Sequence, residues 1–540
     1  MHTFVLLLTV SQSSSNAQIQ PGEVIPAIVA DIAENLPDSE YYRYVYIHDG
    51  RKNAVAYVNT TINQVLSSSG NVVNATSISN NILRLDIRLL QSRHIAGVWE
   101  RFRDDEPYFL ANNTSEIVEL RKDIAIVTVV TNVQSGTTVT GIIQPGEYEV
   151  LEQKPGWLRI SQGWIQSNRV AVHTKSVDKV TRHDRVFGPH LPAEAITIAH
   201  PIVRYDYFLR KAWSSDAIGL YYDFRGITPA PQGSGLSDYE FFLKDFAGVT
   251  EAELQRFGID PFKKVAMLDS KVTGKPRAVI LFSGAGSKVN NNQGLIAVTQ
   301  DGRDNDDVGR DTDPFRNLLQ HRFNAMEVFV EMPNGTIAYA LFTGDLDGNG
   351  IFDAKKGEGK LQKTAPPDVV ADFTIPDPHT KLLQAGISCI RCHAIDKANG
   401  WQDLPNDVNT LLKSGVVDIV DTKADLLASR YSGVLTKPLS RARDDLAEAL
   451  TRITGLADSA EGTVVYQVHG GIGKLVNEYQ YTRITAELAA VELGVESLDN
   501  INMEGVEDNI IAILRAGLTV SRGQFEKVYV DMALRLNSAK

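Results

Sequence analysis

Both cysteines of the 540-residue chain lie in one short stretch, GISCIRCHA, at positions 386–394. Cys389 and Cys392 are separated by two residues, and His393 follows directly. Two cysteines at this spacing beside a histidine arise by accident on the order of once in ten thousand placements. The arrangement therefore calls for a chemical explanation rather than chance.

The chain is too long for one hydrophobic core, so its length predicts roughly three or four domains. Its 43% hydrophobic and 22% charged residues are typical of ordinary globular proteins. The net charge of −12, without a basic block, argues against a nucleic-acid partner. No apolar run approaches the roughly 20 residues of a membrane-spanning helix, so we expect no transmembrane segment.

We predict a multidomain α+β protein. Its five segments are a candidate signal peptide (1–17), an N-terminal α+β domain (18–118), a small SH3-like β-barrel (119–175), a mixed α/β domain containing the cysteine motif (176–420) and a mostly helical C-terminal region (421–540). The barrel is predicted from short β-branched runs separated by Pro-Gly turns, and its tryptophan spacing resembles bacterial SH3-like domains. Such domains often dock to cell-wall material, although a spacer without a ligand is an equal alternative.

Several segments have a clear hydrophobic periodicity. A helix is predicted at 53–66, an alternating strand at 81–90, and further strands at 277–284, 325–332 and 336–344, the last two joined by a Pro-Asn-Gly turn. Segment 380–388, directly before the cysteine motif, is predicted as helix followed by glycine. The stretch HGGIGKL (469–475) lacks the first glycine and the final Ser or Thr of a phosphate-binding loop, so that function is excluded.

C-x-x-C-H is the attachment signature of c-type haem. The two thiols add to the porphyrin vinyl groups, and the adjacent imidazole reaches the iron as the proximal axial ligand. This chemistry predicts thioether bonds at Cys389 and Cys392, and iron ligation by His393. A zinc site, which normally needs four ligands, and a thioredoxin-like thiol pair remain as alternatives.

Residues 1–17 have an apolar centre and a small-residue cleavage site, but no Lys or Arg precedes the apolar run. This pattern predicts export, and therefore a periplasmic or secreted protein. Export agrees with haem, because bacterial c-type haem is attached outside the cytoplasm.

Further stretches carry a resemblance to a family. They include YYRYVYIHDG, HPIVRYDYFLRKA, FSGAGSKVNNN, MEVFVEMPNGTIAYALF, GISCIRCHA and LRAGLTVSRGQFEKVY. Together and in this order, they resemble uncharacterised exported proteins of planctomycetes and proteobacteria with one C-x-x-C-H motif, over about three quarters of the chain. The resemblance implies a monohaem exported protein and supplies no reaction.

The opposite axial position decides what a c-type haem does. The candidate ligands are five methionines (Met267, Met326, Met332, Met503 and Met532) and three histidines (His321, His379 and His469). We expect His321 first, because it lies in RNLLQHRF, a further stretch that carries the resemblance. A closed site predicts one-electron transfer with a basic redox partner, whereas an open site predicts a peroxidase-like oxidoreductase or a haem sensor docked to the envelope.

A second metal site is predicted in DLDGNGIFD, residues 345–353. Asp345, Asp347, Asn349 and Asp353 occupy calcium-ligand positions of a D-x-D-x-N-G loop. Lys356 replaces the final glutamate of an EF-hand, so an acidic turn without metal is an equal alternative.

Overall fold

The computed structural model describes residues 27–28, 31, 35, 41–67, 69–90, 98–99, strand segments between 116 and 173, and residues 202–250, 252, 264–267, 277–283, 294–302, 321–347, 351–394, 436–493, 497–500 and 509–538. These residues form a mixed α+β structure with five sheets. The predicted α+β class is thereby confirmed.

The described strands are β1 (Tyr42–Tyr46), β2 (Thr76–Ser79), β3 (Ile82–Asp86), β4 (Glu116–Glu119), β5 (Val127–Val130), β6 (Val139–Ile143), β7 (Glu147–Val150), β8 (Glu152–Lys154), β9 (Trp157–Ile160), β10 (Gly163–Gln166), β11 (Ala171–His173), β12 (Ile202–Arg204), β13 (Lys264–Met267), β14 (Arg277–Ser283), β15 (Leu295–Asp301), β16 (Ala325–Glu331), β17 (Ile337–Thr343), β18 (Leu361–Gln362), β19 (Thr364–Ala365) and β20 (Leu383–Gln384).

The described α-helices are α1 (Ala54–Thr61), α2 (Tyr205–Trp213), α3 (Tyr221–Arg225), α4 (Asp238–Phe241), α5 (Ile387–His393), α6 (Thr436–Thr454), α7 (Gly471–Tyr481), α8 (Ala486–Leu493), α9 (Ile510–Arg515) and α10 (Arg522–Ser538). Three π-helical turns adjoin them: Ile62–Leu66 after α1, Phe242–Phe246 after α4, and Tyr466–Gly470 before α7. Short 3₁₀ turns cover Ile87–Leu90, Ala354–Lys356 and Leu498–Asn500.

The N-terminal sheet has the order β12-β1-β3-β2, with β12 parallel to β1. The strand predicted at 81–90 is present as β3, where Leu83 and Leu85 are buried whereas Arg84 is half-buried. Its predicted second half is wrong, because β3 ends at Asp86 and Ile87–Leu90 form a 3₁₀ turn. Since β12 begins at Ile202, this sheet joins chain segments on both sides of the strands between 116 and 173.

The strands between 116 and 173 form two antiparallel sheets, as their β-branched composition predicts. One has the order β6-β5-β10-β9-β8, and the other has the order β11-β4-β7. The described strands do not close into a barrel, so the SH3-like barrel remains a prediction.

The central sheet is an antiparallel meander of β13 to β18, and it contains the three strands predicted at 277–284, 325–332 and 336–344. The predicted Pro-Asn-Gly hairpin is present, with Gly335 at φ 82° and its N–H donating to the Met332 carbonyl at 2.9 Å. All residues of β15 and β16 are buried, so both faces of these strands are covered.

Helix α3 covers the exposed edge of β17 through two adjacent tyrosines. The Tyr221 and Tyr222 hydroxyls accept hydrogen bonds from the N–H groups of Tyr339 and Leu341, at 3.0 and 2.9 Å. These bonds satisfy strand donors that the two-residue β18 leaves without a complete ladder.

One hydrophobic core spans the N-terminal, central and C-terminal parts of the described chain, and it includes Tyr44, Phe208, Phe329, Leu446 and Phe525. Three predicted domains therefore share a core, although the proposed boundaries themselves remain predictions. Helices α6 and α7 contribute to this core because each has an apolar face that only a neighbouring element can bury.

A buried ion-pair network also joins β12 to the C-terminal helices. Arg204 contacts Asp206 at 2.7 Å and Glu492 at 3.0 Å, and Arg522 contacts Glu492 at 2.6 Å. Each charge has an opposite partner, as burial requires.

Within the described residues, no helix combines the length and apolar character needed to cross a membrane.

Candidate functional site

The cysteine motif lies on α5, which follows the short strand β20. The helix predicted for 380–388 is therefore wrong: Leu383 and Gln384 pair with β19, and pairing with a neighbouring strand overrides the local pattern. Gly386 makes the turn into α5 at φ 83°. A Cβ at this position would lie 2.5 Å from the Trp213 carbonyl oxygen, so the turn requires glycine.

The three motif side chains project from one side of α5. Cys389, Cys392 and His393 occupy positions i, i+3 and i+4, which are neighbours on a helix surface. Both thiols are free; Cys389 is buried, and Cys392 and His393 are half-buried. Two thiols outside any disulfide and an imidazole thus share one helical face.

This helical face contacts the central sheet through β16 and β17. The Cys389 thiol donates a hydrogen bond to the carboxylate of Glu327. The His393 ring packs edge-on against Phe329 at 5.0 Å between ring centroids, and stacks on Tyr339 at 6.4 Å. Phe329 and Tyr339 are directly paired across β16 and β17, so the sheet register brings both rings to the imidazole.

Burial determines the protonation of these groups. It raises the pKa of Cys389 well above the usual value for a thiol, and the nearby Glu327 charge raises it further. Burial also raises the pKa of Cys392, with the charge of Asp372 as the next cause. Glu327 itself has a pKa raised to about 7 by burial, although the Cys389 hydrogen bond and Arg277 oppose the rise.

The opposite face of α5 is held by a buried ion pair. Arg391 contacts Asp372 at 3.1 Å, and the Ser388 hydroxyl donates to the same carboxylate oxygen at 2.6 Å. Gly473 of α7 lies against this side, since a Cβ there would be 2.6 Å from Cγ of Arg391. A cleft of about 850 Å³ opens beside these residues and is lined in part by Arg391, Lys474 and Tyr481.

His469, on the π-helical turn before α7, lies close to the motif. It is fully buried, and its Nε2 is 2.8 Å from Oε1 of Gln64. Trp213 packs edge-on against its ring at 6.2 Å. Burial, together with a smaller effect of the nearby His393 charge, lowers the pKa of His469 to about 3, so the ring is neutral.

Two glycines of HGGIGKL are packing positions. A Cβ at Gly471 would lie 2.2 Å from the Tyr57 hydroxyl, and one at Gly473 would lie 2.6 Å from Cγ of Arg391. Gly471 and Gly473 therefore let α7 approach α1 and α5 closely, which agrees with the exclusion of a phosphate loop.

The other candidate axial ligands lie in different surroundings. His321 is buried and stacks on Phe323 at 5.4 Å, before β16 begins, whereas His379 is exposed and packs against Tyr481. His393 contacts Phe329, whereas His321 precedes β16, which begins at Ala325. The extended strand from Ala325 to Phe329 spans roughly 13 Å. Of the candidate methionines, Met326, Met332 and Met532 are buried, Met267 lies in β13, and Met503 is outside the described residues.

The predicted calcium loop is described only in part, because Asn349 lies outside the described residues. Asp345 accepts a hydrogen bond from the Asp347 N–H at 3.1 Å, and Asp347 pairs with Lys356. Asp353 accepts from the N–H of Lys355. Calcium binding here remains a prediction. In the described ranges, no group of three or more His, Cys, Asp or Glu is arranged to hold a metal ion.

Two residues of this site, Glu327 and Gln64, were not predicted. Glu327 interrupts the apolar run AMEVFVEM, and Gln64 interrupts the apolar end of the helix at 53–66. The hydrophobic periodicity assigns both positions to the core. A polar residue at such a position can be recognised in the sequence and indicates a buried contact, because buried polar groups need hydrogen-bond partners.

Comparison of the chain with protein-family models, with curated proteins and with solved structures finds no match.

Proposed function

We propose that the protein carries one covalent c-type haem and transfers single electrons in the periplasm or outside the cell. Cys389 and Cys392 form the thioether bonds, and His393 is the proximal iron ligand. The observation that carries the proposal is the arrangement of α5, where two free thiols and an imidazole share one face. When bound, the haem supplies one-electron redox chemistry through its iron.

The surroundings of α5 support this assignment. Haem needs an apolar, partly enclosed environment, and the His393 side of the helix packs against the rings of Phe329 and Tyr339. The buried ion pair between Arg391 and Asp372 fixes the far side of the helix. The chain thus holds its thiols and imidazole on a rigid element, as precise attachment requires.

The state of the two thiols disfavours a thioredoxin-like function. Reactive redox cysteines have a lowered pKa, whereas burial raises the pKa of both Cys389 and Cys392. Although β20 does precede the helix, it belongs to a two-stranded antiparallel ribbon rather than a parallel βαβ unit. Zinc is disfavoured by the ligand count, since only His393 accompanies the two thiols on this helix face.

Partners and additional sites belong to the same proposal. The net charge of −12 favours a basic redox partner, because complementary charge accelerates encounter. The two β-sheets between 116 and 173 would form an SH3-like module that contacts the envelope. Asp345, Asp347, Asn349 and Asp353 would bind calcium.

The direct test is expression of the full chain in a bacterial host with an active cytochrome c maturation system. We expect a sharp reduced α-band and colour that remains with the protein after acid–acetone extraction. The C389A/C392A double variant should lose the colour. Ser388→Ala, a change on the same helix that keeps both thiols, should retain it.

A colourless wild-type protein would overturn the haem proposal. If the protein does carry haem, carbon monoxide distinguishes an electron carrier from a protein with an open, peroxidase-like or sensory site. An unchanged reduced spectrum under carbon monoxide supports the electron carrier, whereas a shifted spectrum would favour an open, peroxidase-like or sensory site.

A further inference from the structure

His469 has a nitrogen with nothing to bind. Its side chain is fully buried, and Nδ1 has no hydrogen-bond partner within the described part of the chain. Buried polar atoms almost always have partners, so an orphaned ring nitrogen at such a site needs an explanation.

The hydrogen bonds around Gln64 determine which tautomer His469 adopts. Nε2 of Gln64 donates to the Ile337 carbonyl oxygen at 2.9 Å, and a carbonyl can only accept. The amide orientation is therefore fixed, and the Gln64 oxygen must face His469 at 2.8 Å. Nε2 of His469 carries the proton, and Nδ1 presents a bare lone pair.

This is the arrangement of a metal-binding histidine. Such a histidine donates its second ring N–H to an oxygen acceptor, which sets the ring orientation and leaves the other nitrogen free for the metal. Trp213 also holds the ring edge-on, and its own N–H donates to the Thr61 hydroxyl at 2.7 Å. The imidazole is thus locked before any ligand arrives.

Two π-helical turns build this pair. Gln64 lies in Ile62–Leu66 and His469 in Tyr466–Gly470. A π-helical turn inserts an extra residue into a helix, re-aims the side chains and often occurs at functional sites. The second turn packs against the end of α5, where Gly470 faces Ala394, the residue after His393.

We infer that His469, through Nδ1, is the second axial ligand of the iron that His393 binds. The inference rests on the proposed haem and names the ligand that closes its distal side. His469 thereby replaces His321 as the expected ligand, because His321 stacks on Phe323 before the start of β16, whereas His393 contacts Phe329. The proximity of the two imidazoles is also reflected in the effect of His393 on the pKa of His469.

The test uses the full chain matured with haem, and its readout is the coordination of the iron. The wild type should be low-spin in both oxidation states, without the weak red band of a methionine–iron bond, and should not bind carbon monoxide. His469→Ala should become high-spin in the ferric state and bind stoichiometric carbon monoxide. Added imidazole should restore the low-spin spectrum by filling the cavity.

His321→Ala is the matched control, because it removes an equally buried histidine and should leave the spectrum unchanged. A His469→Ala spectrum identical to wild type would overturn the inference while leaving covalent haem intact. If that variant does not fold, electron paramagnetic resonance of the wild type decides, since a high-spin or histidine–methionine signal contradicts ligation by two histidines. A wild type without haem would instead overturn the proposed function.

Discussion

The side-chain oxygen of Gln64 lies 2.8 Å from Nε2 of His469, although 405 residues separate the two positions along the chain. This hydrogen bond joins the end of the N-terminal helix to the C-terminal helical region beside α5. It links the first and last thirds of the chain at the candidate site.

Gln64→Leu should lower the free energy of unfolding by about 2 kcal/mol, because the His469 N–H and the Ile337 carbonyl oxygen both lose a buried partner. Urea denaturation followed by tryptophan fluorescence measures the change. Gln232→Leu, at an exposed glutamine, should change stability by less than about 0.5 kcal/mol. Equal effects of the two substitutions would show that the buried hydrogen bonds of Gln64 do not contribute to the free energy of unfolding.

Asp372→Ala should destabilise the protein by about 3–5 kcal/mol, since it leaves the Arg391 charge buried without its carboxylate partner. The matched control is Asp377→Ala. Asp377 pairs with Lys381, but its side chain is 90% exposed, so its loss should cost less than about 1 kcal/mol. Thermal melting compares the two variants, and similar melting temperatures would contradict the structural role of the pair.

Gly473→Ala should cost about 1–3 kcal/mol, because the added methyl group would lie 2.6 Å from Cγ of the buried Arg391 and push α7 away from α5. Gly523→Ala, in α10, meets open space and should be neutral or slightly stabilising. Urea midpoints measured on both variants test the contact. A harmless Gly473→Ala would mean that α7 and α5 do not pack closely.

Glu327 gives the haem-free protein a specific pH dependence. Its pKa is raised by burial from the ordinary value of 4.5 to about 7. As the pH rises, the unfolded state therefore loses this proton at a lower pH than the folded state does. Between pH 4.5 and pH 7, rising pH therefore lowers the free energy of unfolding, by about 3 kcal/mol at about 1.4 kcal/mol per pH unit.

Glu327→Gln removes this titration and should make the protein more stable than wild type at pH 8, while the two differ little at pH 4.5. His469 acts in the opposite direction, because its pKa is lowered and stability falls as pH drops below 6.5. That contribution is common to both proteins and cancels in the difference. A difference in unfolding free energy that is constant with pH would contradict a buried, neutral Glu327.

The hydrophobic periodicity of the sequence predicted most of the regular elements, but it did not predict the contacts between distant residues at the site. Strands at 277–283, 325–331 and 337–343 follow from short apolar β-branched runs, and the Pro-Asn-Gly turn follows from backbone preference. These are local signals. The strand at Leu383–Gln384 was missed, because its pairing with Thr364–Ala365 is a contact that a local window does not contain.

The candidate site was predictable only where chemistry is encoded in adjacent residues. Cys389, Cys392 and His393 are such a case. The contacts of Glu327 with Cys389, and of Gln64 with His469, depend on sheet register and on π-helical turns formed by distant segments. His321 was expected first because of the family-like stretch around it, and no local signal in the sequence indicates that His469 lies beside α5.

The central claim is covalent haem attachment, and the mass of the intact denatured chain tests it most directly. After expression with cytochrome c maturation, the wild-type chain should be heavier by one haem. Cys392→Ala can form at most one thioether bond, and the C389A/C392A variant should have the mass of the bare chain. A wild-type chain with the bare polypeptide mass, obtained from a host that matures a control cytochrome, would contradict the account.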